Sequence, residues 1–237
     1  MEELDEIASR SIYDKGLNAQ MIKYSSSLVS KFLKKDMNIL ELGPAEGIMT
    51  ETLIEYSKTL TLVEGSSYFC EQLKEKYPEA IVINSLFEEL SLSSKYDFIV
   101  LGHVLEHVDD PVLILKKIKD YLNPGGRIIS IVPNSHSIHR QAAVIMGLLH
   151  KEDSMSEKDI YHGHRRVYNM SVLKNHFLLA GLNIEKSGGF WLKPLSDRQI
   201  EESWTQEMID AFFKLGEEYP SISAEIYIVA SLEGEGK

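Results

Sequence analysis

From residue 37 onward, short apolar runs alternate with stretches whose apolar residues recur every three or four positions. MNILEL, LTLVE, AIVIN, YDFIVLG and GRIISIVP read as strands, with IMTETLIEYS, YFCEQLKEKY and PVLILKKIKDYL as the helices between them. The strand runs are apolar almost throughout, as expected where helices cover both faces of a parallel sheet. Asp110 followed by Pro111 predicts a helix N-cap and first-turn proline, and NPGG at 123–126 predicts a turn back into the sheet. Beyond residue 133 the pattern loosens. It resumes with helix SVLKNHFLLA, strand LNIEKSGGF, one long helix SDRQIEESWTQEMIDAFFKLGEEY and strand ISAEIYIVAS, whose two strands suit an antiparallel edge pair. Upstream, SIYDKGLNAQMIKYSSSLVSKFL predicts an amphipathic helix after a tyrosine-containing loop. The expected fold is a doubly wound α/β sheet, mostly parallel with an antiparallel C-terminal edge strand. Residues 1–36 would form a helical cap or lid, and residues 37–237 one domain with an insertion around 136–170.

Composition narrows the function classes. The chain has 237 residues, 43% hydrophobic and 26% charged, with no internal repeat and no run long enough to span a bilayer. A single cysteine, Cys70, excludes an intramolecular disulfide, and the polar start MEELDEIASR lacks an apolar leader, so a cytoplasmic location is expected. Net charge is −11, the wrong sign for neutralising phosphates along a nucleic-acid backbone. Neither a nucleic-acid nor a membrane partner is expected.

The turn ELGPAEG, residues 41–47, joins the first strand to the first helix, where a doubly wound sheet binds its ligand. Glu64 ends the next strand, placed to accept hydrogen bonds from two ribose hydroxyls. A nucleoside-containing cofactor follows; a dinucleotide would want G-x-G-x-x-G, whereas Pro44 has no amide and the Gly43–Gly47 spacing differs. Together with LVEGS, VINSLFEEL, DFIVLGHVLEHVDDP and LNPGGRIISIVPN, this turn resembles the ordered motifs of the class I S-adenosylmethionine-dependent methyltransferases, over about residues 37–133. The resemblance implies a Rossmann-like fold and S-adenosylmethionine as cofactor. It places Glu41, Gly43, Pro44, Ala45 and Gly47 at the methionine portion, and Glu64, Gly65 and Ser66 at the ribose. Ser85, Leu86 and Phe87 would flank the adenine, with His103, Val104 and His107 closing the pocket. Two departures stand out. Ala45 replaces a frequent glycine, so the turn there should keep a φ that alanine tolerates, and Asn84-Ser85 replaces the commoner Gly-Asp.

GHVLEHVDDP contains His103, Glu106 and His107 in the H-x-x-E-H spacing of inverted zinc proteases. Pro111 sets the helix start later, so the two histidines fall on a loop or single turn and not on one helical face. No metal is expected, and His103 reads as a pocket wall near the transferring methyl. On the acceptor side, YHGHRRVYN at 161–169 carries His162, His164, Arg165, Arg166 and Tyr168 with no acid among them. Arginine forks match carboxylates and phosphates, although an ordinary solvated loop is the plain alternative. Tyr13, Asn18 and Tyr24 would cover the pocket. The expected activity is O-methylation of an acidic small molecule or peptide carboxylate, which needs positioning only. The alternatives are a sugar in specialised (natural product) metabolism or surface-glycan synthesis, with His103, His162 or His164 as base where a hydroxyl is the acceptor, and a cofactor-binding protein without catalysis.

Overall fold

The structure is a computed structural model that describes residues 2–9, 11 and 14–232. Five strands, β1 (Met37–Leu42), β2 (Ser57–Glu64), β3 (Ile81–Asn84), β4 (Tyr96–Gly102) and β5 (Leu122–Pro133), pair in parallel. β6 (Leu182–Phe190) and β7 (Glu225–Leu232) complete a seven-stranded sheet of order β3-β2-β1-β4-β5-β7-β6, with β7 antiparallel to both neighbours. The Rossmann-like expectation holds, including the antiparallel edge. The strand order reverses between β1 and β4, the switch point at which such sheets open a crevice.

Side chains alternate across the sheet and feed two cores. Ile39, Leu62, Phe98, Val100, Ile129 and Ile131 face one layer, formed by α2 (Gly16–Ser30), α3 (Ile48–Leu53), α4 (Ser67–Lys76), α9 (Asp197–Ser203) and α10 (Gln206–Glu218). Leu40, Leu42, Val63, Ile99, Leu101 and Ile128 face α5 (Pro111–Lys119) and α8 (Met170–Leu179). Burial on both faces is why the strand runs read as uniformly apolar.

Local chemistry explains three departures from the sequence reading. The long helix after β6 is broken: Trp204 is extended, its ring packs 4.5 Å from that of Phe212, and the Thr205 hydroxyl caps α10 by accepting from Met208 N at 3.4 Å. NPGG does not precede β5 but lies within it, since Leu122 already pairs with Tyr96 and Arg127 next pairs with Phe98, with Gly125 at φ +76 in the intervening bulge. The polar start forms a helix of its own, α1 (Glu2–Ser9). Between β5 and α8 lie α6 (Ile138–Ile145) and α7 (Glu157–Tyr161), the latter closed by a capping box between Ser156 and Asp159. Among the described residues no helix is long and apolar enough to cross a membrane.

Candidate active site

The turn after β1 places three left-handed residues in five, Gly43 at φ +66, Ala45 at +48 and Gly47 at +77. Gly43 N donates to Val63 O at 2.9 Å, Ala45 N to Glu64 Oε2 at 3.2 Å and Gly47 N to Pro44 O at 2.8 Å. This corrects the expectation for Ala45: the amide bond to Glu64 holds it in a conformation costing an L-residue about 1–2 kcal/mol. The chain approaches the opposite wall closely at Gly43, where a Cβ would stand 3.0 Å from Val104 Cγ2. Gly47 is a second correction. It is not among the residues lining the cavity; it caps α3, and a Cβ there would meet Tyr77 at 2.7 Å and Leu73 at 2.9 Å. Glu41, the last residue but one of β1, is buried and accepts from Thr50 Oγ1 at 2.6 Å. Burial pushes its carboxyl up to about 7 against the Thr50 hydrogen bond, and the Glu64 charge adds to the rise.

Glu64 is poised by backbone alone: Oε1 accepts from Ser66 N at 2.8 Å and Oε2 from Ala45 N. Burial raises its pKa, and these amides oppose the rise. Each oxygen keeps a further lone pair for a ligand. Asn84 Nδ2 donates to the carbonyls of Glu64 and Gly65, both at 3.0 Å, tying the end of β3 to that of β2. The Asn84 departure thus has a structural use. Over this edge lies α1, anchored by Asp5, whose carboxylate accepts from the hydroxyls of Ser66 and Ser67 at 2.7 Å each. The sequence reading expected a helical cap or lid over residues 1–36 but read its helix only downstream of residue 10, because an acidic octet without a tertiary partner carries little helix signal.

After β4, His103 is left-handed at φ +58, with its N–H bonded to Ile131 O at 2.9 Å. Its Nδ1 lies 3.3 Å from Glu106 Oε1 and 3.9 Å from Glu225 Oε2, while Nε2 is buried without a hydrogen-bond partner. Burial disfavours the charged ring, but the two carboxylates outweigh it and raise the His103 pKa. His107 faces the same space; Nδ1 lies 3.2 Å from Gly163 O, and burial lowers its pKa. Burial and the Lys158 charge lower that of His162 to about 4.

These turns enclose one cavity of about 800 Å³. Pro44, Ala45, Glu64, Gly65 and Ser66 line one end, with Ser85, Leu86 and Phe87 beside them. His103, Val104 and His107 form the middle, and His162, His164 and Arg165 the far end. Leu4 and Ala8 of α1 and Met21 and Ile22 of α2 form the roof. Several expected substrate contacts lie elsewhere. Tyr24 is stacked on Phe213 at 4.7 Å and donates to Glu217 Oε1 at 2.7 Å, so it packs α2 on α10 instead of covering the pocket. Asn18 is not in the lining and accepts from Lys158 Nζ at 3.3 Å. Tyr168 is fully buried, its hydroxyl 3.3 Å from Leu105 O. Tyr13 lies outside the described residues. Arg166 is also corrected: its guanidinium donates to the carbonyls of Leu105, Val108 and Asp109 and so ties two segments together. Arg165 reaches the rim but donates to His107 O at 2.9 Å and pairs with Asp109 at 2.8 Å. The sequence reading named Glu106 only within the zinc-protease pattern it set aside, and it missed Asp159 and Glu225, two acids brought among the histidines by tertiary contacts.

A family model described as a methyltransferase domain matches residues 15–187. The chain belongs to that methyltransferase family. Among curated relatives, this chain is 23% identical over 111 residues to ribosomal RNA small subunit methyltransferase A of Chlorobium limicola, covering 46% of this chain and 40% of that protein. It is 26% identical over 118 residues to malonyl-[acyl-carrier protein] O-methyltransferase 1 of Ilyobacter polytropus, covering 46% and 44%. The chain thus spans less than half the length of these relatives. Among solved structures, N-methyltransferase NodS of Bradyrhizobium japonicum, in complex with S-adenosyl-L-homocysteine, superposes with a TM-score of 0.60 at 13% identity, covering 97% of this chain and 96% of that one. That likeness shows the shared fold. S-adenosylmethionine is the cofactor of the class I enzymes whose motifs the sequence carries, and the site fits it: a buried carboxylate with free lone pairs at a strand end, beside a turn that admits close approach.

Proposed function

We propose that this methyltransferase moves the methyl group of S-adenosylmethionine to a hydroxyl oxygen of a small molecule, with His103 receiving the hydroxyl proton. Bound S-adenosylmethionine supplies a methyl carbon made electrophilic by its sulfonium. The protein's part is to hold an acceptor lone pair about 3 Å from that carbon, opposite the sulfur. Glu64 would grip the ribose, and the Gly43–Ala45 turn the methionine portion. Leu86 and Phe87 would flank the base.

The observation that carries the acceptor reading is the His103 ring, whose Nδ1 is oriented by Glu106 while its buried Nε2 lacks a protein partner. A carboxylate-oriented imidazole with one free nitrogen is the arrangement of a general base, which a hydroxyl acceptor needs and a carboxylate does not. The earlier expectation of an acidic acceptor loses support, because Arg166 is committed to carbonyls and Arg165 to Asp109. The name of the Ilyobacter relative supports oxygen as the acceptor atom, there the oxygen of a malonyl carboxylate and not of a hydroxyl. Asp109, Asp110 and Glu88 at the cavity edge have the wrong sign for a phosphate backbone, which speaks against an RNA acceptor.

The test is transfer of labelled methyl to paired acceptors differing only in one hydroxyl or in a carboxylate converted to its amide. Transfer should survive amidation and vanish with the hydroxyl, and His103→Gln should lower kcat by about a hundredfold or more. Transfer that is lost on amidation would restore the carboxylate acceptor. Cofactor binding with no transfer to any acceptor would instead indicate a binding protein.

A further inference from the structure

We infer that Glu106, His107 and His164 form a binding site for one divalent transition-metal ion of the zinc type at the acceptor end of the cavity. Ligand-capable atoms of the three side chains all lie within 4.8 Å of one another. A tetrahedral ion with bonds of about 2.0–2.1 Å separates its ligand atoms by roughly 3.4 Å, so the cluster closes on an ion by small side-chain rotations. Two imidazoles and one carboxylate are a donor set that such ions take, leaving positions open for water or substrate.

Three observations separate this cluster from an accidental gathering of polar groups. Glu106 is fully buried, and among the described residues neither carboxylate oxygen accepts a hydrogen bond; His103 Nδ1 lies 3.3 Å from Oε1. A buried carboxylate left that way is costly without a cation. The two imidazoles are also oriented from behind. His107 Nδ1 faces Gly163 O at 3.2 Å, so Nδ1 carries the proton and Nε2 the lone pair. His164 Nδ1 lies 3.3 Å from Asp159 Oδ1, an ion-pair contact whose geometry falls short of a hydrogen bond. A carbonyl or carboxylate behind each ligating histidine is the usual support of a metal centre. Finally, Asp159 is itself fixed: Oδ2 accepts from Ser156 N at 2.8 Å and from Arg140 at 3.0 Å, and the Arg140 guanidinium is held by the carbonyls of Glu152 and Ser154. An arginine nearly buried to steer one aspartate makes sense if that aspartate steers a ligand.

His107 and His164 line the cavity, so open coordination positions face the acceptor space. An ion there would bind the acceptor hydroxyl and ease its ionisation beside His103. That role rests on the methyl-transfer reading; the site itself does not.

The experiment uses the full chain stripped with a chelator and titrated calorimetrically with ZnCl2, with metal content counted after desalting and S-adenosylhomocysteine affinity measured in parallel. One zinc per chain is expected, with affinity lowered at least a hundredfold by Glu106→Gln or His164→Asn and about tenfold or more by Asp159→Asn. His150→Ala, at an exposed histidine outside the cluster and its supporting contacts, should leave binding unchanged. Cobalt substitution should give the visible absorption of a four- or five-coordinate ion, lost in His107→Asn. Should Glu106→Gln fail to fold, the His164→Asn and cobalt results decide. Substoichiometric zinc, or binding indifferent to His164→Asn and His107→Asn, overturns the proposal. Zinc binding without methyl transfer leaves the site standing and removes the proposed function, whereas methyl transfer unaffected by chelation in a protein that binds no zinc does the reverse.

Discussion

Replacing Glu64 tests the cofactor end of the cavity most directly. Its two carboxylate oxygens already accept from Ser66 N and Ala45 N, at 2.8 and 3.2 Å, so the group is oriented before any ligand arrives and little ordering remains for binding. Two ribose hydroxyls donating to the remaining lone pairs would each contribute about 1.5–3 kcal/mol, the range for hydrogen bonds to a charged group. Glu64→Ala should therefore weaken S-adenosylmethionine binding by about 3–6 kcal/mol, or roughly a hundredfold to ten-thousandfold in Kd. The lower half of that range is expected, because water can enter the space left by the side chain. Glu64→Gln is the control for folding. Its amide oxygen can satisfy one of the two backbone N–H groups while its NH2 opposes the other, so it should keep the fold and still lose most of the affinity. Calorimetric titration with S-adenosylmethionine, alongside circular dichroism, reads both quantities. A folded Glu64→Ala protein whose Kd stays within threefold of the wild type would refute the assignment of this strand end to the ribose.

Glu41→Gln addresses pH. Burial holds the folded-state pKa at about 7 against an ordinary 4.5, so the folded chain retains a proton that the unfolded chain has lost. The associated stability is present below about 4.5 and disappears as pH rises through 7, a swing of about 3 kcal/mol. The cofactor-free variant should consequently be more stable than the wild type at pH 8 but not at pH 4.5 in denaturant titrations; a difference independent of pH would contradict this. Ala45→Gly relieves a left-handed alanine at φ +48. Relief of about 1–2 kcal/mol less a glycine entropy cost of about 0.5–1 kcal/mol predicts a rise in Tm of about 1–4 °C, and a lower Tm would show that the methyl group packs usefully there.

What could be read along the chain follows the range of the interaction responsible. Strands β1 and β4 match their apolar runs residue for residue, because burial on both faces leaves a local record. The turns that line the cavity were legible for the same reason: each is a short connection after a strand whose glycines and acid act within about twenty residues. The break at Trp204-Thr205 was not, since an amphipathic period continues through it and only tertiary packing of Trp204 on Phe212 reveals the stop. The acceptor side depends on longer reach still. Arg165 and Arg166 looked like free cations because their partners, Asp109 and the carbonyls of residues 105–109, lie more than fifty positions away.

The H-x-x-E-H stretch shows how that range alters a chemical conclusion. On a helix, His103 and His107 would share one face and bind a metal together. With Pro111 delaying α5, the two histidines are not placed as a helical ligand pair, which is why the sequence alone predicts no metal. That expectation holds only where all the ligands come from the motif. The left-handed backbone at His103 instead pairs its ring with Glu106, while the carbonyl of Gly163 faces His107 and the same loop delivers His164 to the other side of Glu106. On the proposed site the motif supplies two donors, Glu106 and His107, and its first histidine lines the cavity with Nε2 buried and without a hydrogen-bond partner among the described residues. One buried carboxylate can then orient a base with one oxygen and hold an ion with the other. On this arrangement Glu106→Gln should impair both metal binding and turnover, His164→Asn should abolish metal binding while leaving the His103–Glu106 contact in place, and His103→Gln should impair turnover with zinc stoichiometry unchanged. A His103→Gln protein that had also lost its zinc would mean that His103 is itself a ligand and that the division of the motif between base and metal is wrong.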